Sequence, residues 1–363
     1  LYERKQLSKI VSGYPWIKLK NDTIPKKFID SSGYFQIMTH FLHKIPKVNL
    51  DKLIDSIDYL NKQKIDYRGS KYLDITDVLI SSAQSGVNTG KKIKEKSKIY
   101  ICDQCSANIF FEDNLVNDEF RSLNISREKE FHQGMKDRAL EEYNNSNYIM
   151  VPSNYVKKTF DKKYHSKIFV NNFGIDTKKF YPLPKENLNN EFFNIVYIGA
   201  ISIRKGVHYL IDAFNKLKYS KKKLHLIGSH IQADIDFFKR KLNQENIINY
   251  GHVPNIQLNS ILNKCDVFAT ATLSEGFAMV INQAIASGCP VIVTENSGAK
   301  EYVEQNNCGF VVPIRNSQII SDKLTLLLDD KNLLKKFSIN SKNSGNLNTW
   351  NKYVDRLDAF LDI

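Results

Sequence analysis

Residues 274–302 read SEGFAMVINQAIASGCPVIVTENSGAKEY. Glu275-Gly276-Phe277 is expected to open a helix. The small-residue turn Ala286-Ser287-Gly288-Cys289-Pro290 then feeds a buried strand over 291–294. The first N–H groups of a helix are unpaired and carry positive partial charge, so they attract phosphate. Gly276 removes a side chain where a ligand would approach. Glu275 and Gln283 are eight residues apart, about 12 Å along a helix axis, and return to roughly the same face. A surface helix with two incidental polar residues is the plain alternative. The turn, the apolar strand and Ser297-Gly298 behind it favour a binding segment.

Working outward, the C-terminal half alternates strands and helices. Strands are expected at 193–199, 224–228, 247–253, 267–270, 291–294 and 309–312. Helices are expected at 207–217, 232–243, 255–264, 276 onward and 299–305. VHYLIDAFNKL at 207–217 is apolar at 207, 210, 211, 214 and 217, one face of a helix. Apolar strands alternating with helices predict a parallel, doubly wound sheet. The N-terminal half is similar in kind, with buried strands at 98–102, 148–151 and 168–170 and an amphipathic helix over 48–64. The stretch Tyr181-Pro182-Leu183-Pro184 through Asn190 reads as a hinge. The expected division is an N-terminal domain over 1–183 and a C-terminal domain over 184–345. Residues 1–12 read as the end of a helix and a following strand.

The 274–302 segment resembles the Glu–x7–Glu signature of the family-4 retaining glycosyltransferases, which have the two-domain GT-B fold. Glu275, Gly276, Phe277, Ala284, Gly288, Pro290, Val291, Ile292, Gly298 and Glu301 match, and Gln283 stands where the second acid would be. The resemblance implies two Rossmann-like doubly wound domains facing across a cleft, the N-terminal one expected to lack its first strand because the hydrophobic strand and Gly-rich turn that open that family are not found at the start of the sequence. It implies that Glu275 faces the donor sugar and Gln283 the ribose. Gly276, Phe277, Ala278, Met279 and Val280 would form the phosphate-facing helix start. Ile198-Gly199-Ala200-Ile201-Ser202-Ile203-Arg204-Lys205-Gly206 is similar to the family's G-x-L-x-x-x-KG loop, so Gly199, Ser202, Arg204 and Lys205 would hold the donor phosphates. Two cations on a strand-to-helix loop suit a diphosphate leaving group. Gly251-His252-Val253-Pro254 is similar to the loop that receives the base, placing Val253 at the nucleotide. The resemblance also implies that a C-terminal helix over 346–363 packs back on the N-terminal domain.

In related sequences D-R-G-S-S-H follows an N-domain strand; this chain has Asp103-Gln104-Cys105-Ser106-Ala107-Asn108. Asn108 cannot exchange a proton near neutral pH, so Asp103, Ser106 and Asn108 are expected as acceptor-side contacts only. No cofactor and no metal are expected. Asp234-Ile235-Asp236 sits in a charged helical stretch and reads as surface, and His40 and His43 lack a carboxylate partner. Cys102-x2-Cys105 reads as strand-end packing ahead of a metal site.

The net charge of +13 gathers in lysine runs at 91–98, 157–163 and 216–223. A solvated surface accounts for most such runs; attraction to an anionic membrane face is the sharper reading, and no nucleic-acid motif accompanies the charge. Five cysteines, no signal peptide pattern and no long apolar run place the chain in the cytoplasm, at most peripheral to a membrane. The expected activity is transfer of a sugar, with retention, from a UDP- or GDP-sugar to a hydroxyl of a glycan or lipid-linked acceptor. Three rivals remain: a degenerate domain that binds nucleotide sugar with little turnover, a sugar-nucleotide epimerase, and a basic membrane or nucleic-acid adaptor.

Overall fold

The computed structural model describes residues 1–19, 24–42, 50–127, 130–184, 191–231 and 234–362. The expected residues at 43, 48–49, 185–190, 232–233 and 363 lie outside them. The chain divides into two units. Unit 1 comprises 1–113, 127–151 and 159–170; unit 2 comprises 114–126, 152–158 and 171–363.

Unit 1 holds β1 (Ile10–Ser12) and β2 (Ile29–Ser31) in a two-stranded parallel sheet. A second, four-stranded parallel sheet holds β3 (Val78–Ser82), β4 (Ile99–Asp103), β5 (Tyr148–Val151) and β6 (Ile168–Val170), in that order. The three strands anticipated from apolar runs are β4, β5 and β6. The helix anticipated over 48–64 runs Asp51–Gly69. Residues 2–5 form a turn, where the sequence suggested a helix end. In the centre of this sheet Tyr100, Ile101 and Cys102 are fully buried. The Val87–Glu95 helix lies close over β4 because Gly90 has no side chain: a Cβ there would sit 2.2 Å from the Tyr100 ring. Asp66 accepts from Asn88 N (2.9 Å) and Thr89 N (2.8 Å) at the start of that helix and pairs with Arg138 at 2.7 Å.

Unit 2 holds β7 (Phe193–Ile198), β8 (Lys222–Ile227), β9 (Ile247–Gly251), β10 (Val267–Ala269), β11 (Val291–Thr294) and β12 (Gly309–Val312). All are parallel, in the order β12-β11-β10-β7-β8-β9. Written by chain position this is 6-5-4-1-2-3, the doubly wound order read from the other edge. Alternate residues of β7 serve two cores. Ile195 and Tyr197 face one, Val196 and Ile198 the other, so both faces of the sheet are covered.

The first of those cores also takes Val116 and Phe120, from the middle of the Ile109–Ser122 helix. Glu119, fully buried beside them, accepts from His208 Nε2 (3.0 Å), Tyr209 OH (2.8 Å) and Arg315 Nε (2.5 Å). Burial alone would raise its pKa; the bonds from His208, Arg315 and Tyr209 outweigh that and hold the carboxyl below its ordinary range. The C-terminal helix runs Trp350–Leu361 and is grouped with unit 2, whereas the expectation set it on the N-terminal domain. Arg356 on it donates to Asn171 Oδ1 (2.8 Å), Asn172 O (2.6 Å) and Asn348 Oδ1 (3.1 Å). Residues 171–183, expected in the N-terminal domain, are likewise grouped with unit 2, and Ile175 N donates to Asn348 O at 2.9 Å.

Candidate functional site

In an open doubly wound sheet, ligands bind beyond the carboxyl ends of the strands where the order reverses. In unit 2 the reversal lies between β7 and β10, so the loops at 199–206 and 270–278 flank it. The two are laced together. Leu273 N donates to Arg204 O (3.1 Å), Arg204 Nη1 donates to Ser274 O (3.2 Å), and Lys205 Nζ forms an ion pair with Glu275. The sequence-anticipated cations and the anticipated acid thus meet at one place. Gly206, at φ +63°, makes the turn possible: a Cβ there would lie 1.8 Å from Ala271 O. Ser202 Oγ accepts from Lys205 N at 3.3 Å, and Ile203 N donates to Asp234 Oδ2 at 2.8 Å. Asp234 was expected at the surface; it is buried, because its carboxylate satisfies the buried backbone of this loop. Behind Gly199, the Tyr197 hydroxyl donates to Ala200 O at 2.8 Å. Its pKa is raised by burial first and by the Glu275 carboxylate next, with Arg204 opposing.

The helix expected from Glu275 starts later, at Met279, and runs to Ala286. The four residues before it are held in place by tertiary bonds. Glu275 N donates to Asn296 O (3.0 Å), Gly298 N donates to Glu275 O (2.9 Å), and Glu275 bridges Ser297 in parallel. Ser153 Oγ donates to Gly276 O (2.7 Å), Tyr155 OH to Ser274 Oγ (2.9 Å), and Asn296 Nδ2 to Leu273 O (2.9 Å). Glu275 is therefore fixed on a strand-like segment ahead of the helix, and the 12 Å helical span to Gln283 does not apply. The bracing role of Ser153, Tyr155 and Asn296 was not anticipated.

Ala278 is the N-cap and gives no side-chain bond, so no side chain closes the start of this helix. Phe277 is buried, its ring 6.1 Å from that of Phe173 at 80°. Met279 is half exposed, while Val280 and Val253 pack at the margin of the second core. Gln283 is buried, and its Oε1 has no hydrogen-bond partner. A buried amide oxygen without a partner is costly unless something arrives to meet it.

In unit 1, Asp103 ends β4, and burial pushes its carboxyl up to about 6, with a bond from the Cys105 thiol working the other way. Gln104 Nε2 donates to Ser106 O, Ser106 Oγ and Ala107 O, and its Oε1 accepts from Tyr143 OH at 3.0 Å. Asn108 Oδ1 accepts from Phe110 N (3.0 Å) and Phe111 N (3.4 Å), capping the Ile109–Ser122 helix. The Ser106, Gln104 and Asn108 side chains are thus engaged in shaping their own loop. Among the described residues no group of three or more His, Cys, Asp or Glu side chains is gathered as for a metal ion. No described helix is long and apolar enough to cross a membrane. The lysine runs are partly ion-paired, as in Lys91–Glu141, Lys96–Asp74 and Lys221–Glu191.

The chain is similar to the crystal structure of Anabaena HepE in complex with UDP. The TM-score is 0.68 at 14% identity, covering 93% of this chain and 92% of that one. Residues 183–344 match the family of glycosyl transferases, group 1. The fold is GT-B. Among curated relatives, an uncharacterized glycosyltransferase of Methanocaldococcus jannaschii is 29% identical over 213 residues, 58% of each chain. The capsular polysaccharide biosynthesis glycosyltransferase CapM of Staphylococcus aureus is 31% identical over 176 residues, 47% of this chain and 45% of CapM. The chain spans about half the length of these relatives. The match lies on unit 2, which carries the laced loops.

Proposed function

We propose that the chain is a retaining glycosyltransferase of the family-4 type. It moves a sugar from a UDP- or GDP-sugar to a hydroxyl of a glycan or lipid-linked acceptor in surface polysaccharide assembly, at the cytoplasmic face of an anionic membrane. The observation that carries the reading is the lacing of Arg204 and Lys205 to Ser274 and Glu275 beside the uncapped Met279–Ala286 helix. The bond between the anomeric carbon and the diphosphate oxygen breaks, the bond from that carbon to the acceptor oxygen forms, and the acceptor proton is released. Arg204 and Lys205 stabilise the departing diphosphate, with the helix start, and no metal is required. Lys205 turns from Glu275 toward the phosphates, which frees Glu275 to orient the sugar. Gln283 Oε1 receives a ribose hydroxyl, and the loop around Val253 receives the base. CapM, named for capsular polysaccharide biosynthesis, supports the acceptor class.

A second reading is a nucleotide-sugar binder with little turnover. It is favoured by Gln104 and Asn108, whose amides cannot move a proton and are already hydrogen-bonded within their loop. One experiment decides: a panel of UDP- and GDP-sugars, with EDTA present, assayed for binding and for nucleoside diphosphate release with glycan and lipid-linked acceptors, beside Arg204→Ala and Glu275→Ala. Transfer abolished by both substitutions supports the first reading. Binding without release supports the second. Failure of every nucleotide to bind sinks both.

A further inference from the structure

We propose that unit 2 carries a second binding site, for a single-chain amphiphile with a phosphate head, at the end of its sheet opposite the laced loops. A cavity of about 370 Å³ lies there, within the range of about 300–1,000 Å³ common for small-molecule sites. Cys265 and Asp266 line it just before β10, and Pro290 just before β11, so it sits at the amino-terminal ends of the strands. Lys331 Nζ, on the rim, stands 5.7 Å from the ring of Phe193, where β7 begins.

The wall offers an occupant mainly hydrocarbon. Leu183, Leu262, Pro290, Leu334 and Ile339 line it. The polar side chains beside them are engaged within the protein. Asn263 Oδ1 accepts from Leu183 N (2.7 Å), and Asn263 Nδ2 donates to Asn259 O (2.8 Å). Ser287 Oγ donates to Asn259 Oδ1, Ser338 Oγ donates to Gly288 O, and Asp266 Oδ2 accepts from Asn194 N, each at 2.8 Å. Ile339, 46% exposed, carries the apolar surface out to the lip.

The rim is cationic. The run KNLLKKFSINSK at 331–342 sets Lys331, Leu334, Lys335, Ser338, Ile339 and Lys342 on one face of the Lys331–Ser344 helix, while Phe337 and Ser341 are buried on another. Among the described residues no carboxylate forms an ion pair with Lys331, Lys335 or Lys342. The Lys342 stem lies along the cavity turn: a Cβ on Gly288 would sit 2.7 Å from its Cγ and 2.9 Å from its Cε. Ammonium groups at the mouth of an apolar cavity complement a doubly charged head on a hydrocarbon chain. A fully polar molecule would leave the wall unmatched, and a neutral chain would leave the cations unmatched. At roughly 30 Å³ per water-sized group the cavity holds on the order of a dozen heavy atoms, room for one chain and not for a two-chain lipid. Ser287 and Gly288 also end the Met279–Ala286 helix, so the occupant touches the far end of the helix that starts beside the laced loops.

The test is titration calorimetry of the whole chain with butyl, hexyl, octyl, decyl and dodecyl phosphates, each below its micelle concentration. Affinity should rise about fourfold per CH₂ and level off at roughly eight to ten carbons. Inorganic phosphate and octyl glucoside should bind more weakly than octyl phosphate by about 100-fold or more. Lys335→Gln combined with Lys342→Gln should weaken octyl phosphate by about tenfold and leave the melting temperature unchanged. Octyl phosphate should slow hydrogen exchange at the amides of 287–289 and 335–342. The proposal is overturned by any one of these results: no binding of any alkyl phosphate, affinity that ignores chain length, equal binding of octyl glucoside, an unchanged affinity in the double variant, or binding to anionic two-chain vesicles alone.

Discussion

Gly298 offers the sharpest test of how Glu275 is held. A Cβ at position 298 would lie 1.9 Å from Gly276 O and 2.6 Å from Ser153 Oγ. Ordinary contact begins near 3.4 Å, so Gly298→Ala demands a backbone movement of roughly 1.5 Å. The atom in the way is a carbonyl already fixed by Ser153, and Gly298 N itself bonds Glu275 O. The 274–278 segment must therefore move as a piece, carrying Glu275 away from Lys205. Overpacking of this kind costs about 1–3 kcal/mol, and a misplacement of about 1 Å at a site can cost on the order of 100-fold in rate. At about 2–4 °C per kcal/mol for a unit of this size, the melting temperature should fall by about 5 °C. Gly251→Ala is the control. It has φ +64° but nothing within 4 Å, so it carries only conformational strain of about 1–2 kcal/mol. Calorimetric melting of both variants and steady-state sugar transfer by Gly298→Ala give the reading. Gly298→Ala with wild-type transfer and a melting temperature within 1 °C of wild type would show that the carbonyl gives way freely, and would refute the account of a rigid Glu275.

Gln283→Ala should raise the melting temperature by a few degrees, since it removes a buried oxygen without a partner, while weakening UDP or GDP binding several-fold in titration calorimetry. A loss in both readouts would count against the ribose role. Lys205→Ala should weaken nucleoside diphosphates about 10–100-fold and leave the bare nucleoside unchanged, measured by the same titration. Glu119→Ala leaves Arg315 and the buried His208 without their acceptor and should cost about 3–5 kcal/mol, read as a fall in the melting temperature of roughly 10 °C. Asp103 should titrate near pH 6 by carboxyl ¹³C NMR. Because its folded pKa is raised, the folded chain binds the extra proton, and stability is lost as the pH rises from about 4 through 6. Asp103→Asn should flatten that slope, and a titration near 4 would remove its basis.

What the sequence made legible was what local pattern controls. The apolar runs at 99–103, 148–151, 193–198 and 291–294 became strands with bounds shifted by a residue or so, because a strand buried on both faces must be apolar throughout. The meeting of Arg204, Lys205 and Glu275 followed from spacing and resemblance. The misreadings have tertiary causes. The helix starts at Met279 because Asn296, Gly298 and Ser153 hold the preceding backbone extended. Asp234 is buried because Ile203 N needs an acceptor thirty-one residues away. β3 went unread because Ser81 and Ser82 end a run of only three apolar residues. Nothing in 109–122 told that Val116 and Phe120 would belong to the core of unit 2.

That last fact bears on how this molecule can be cut and recombined. The stretch that matches the family, 183–344, omits Val116, Glu119 and Phe120. Excised alone, it would leave a cavity where two apolar side chains belong and strand Arg315 and His208 without their carboxylate. A chimera that replaces unit 2 of this chain must therefore exchange residues 114–126 along with the rest of it. The unit of inheritance here is three pieces of chain, and a single crossover point in the gene would not carry it.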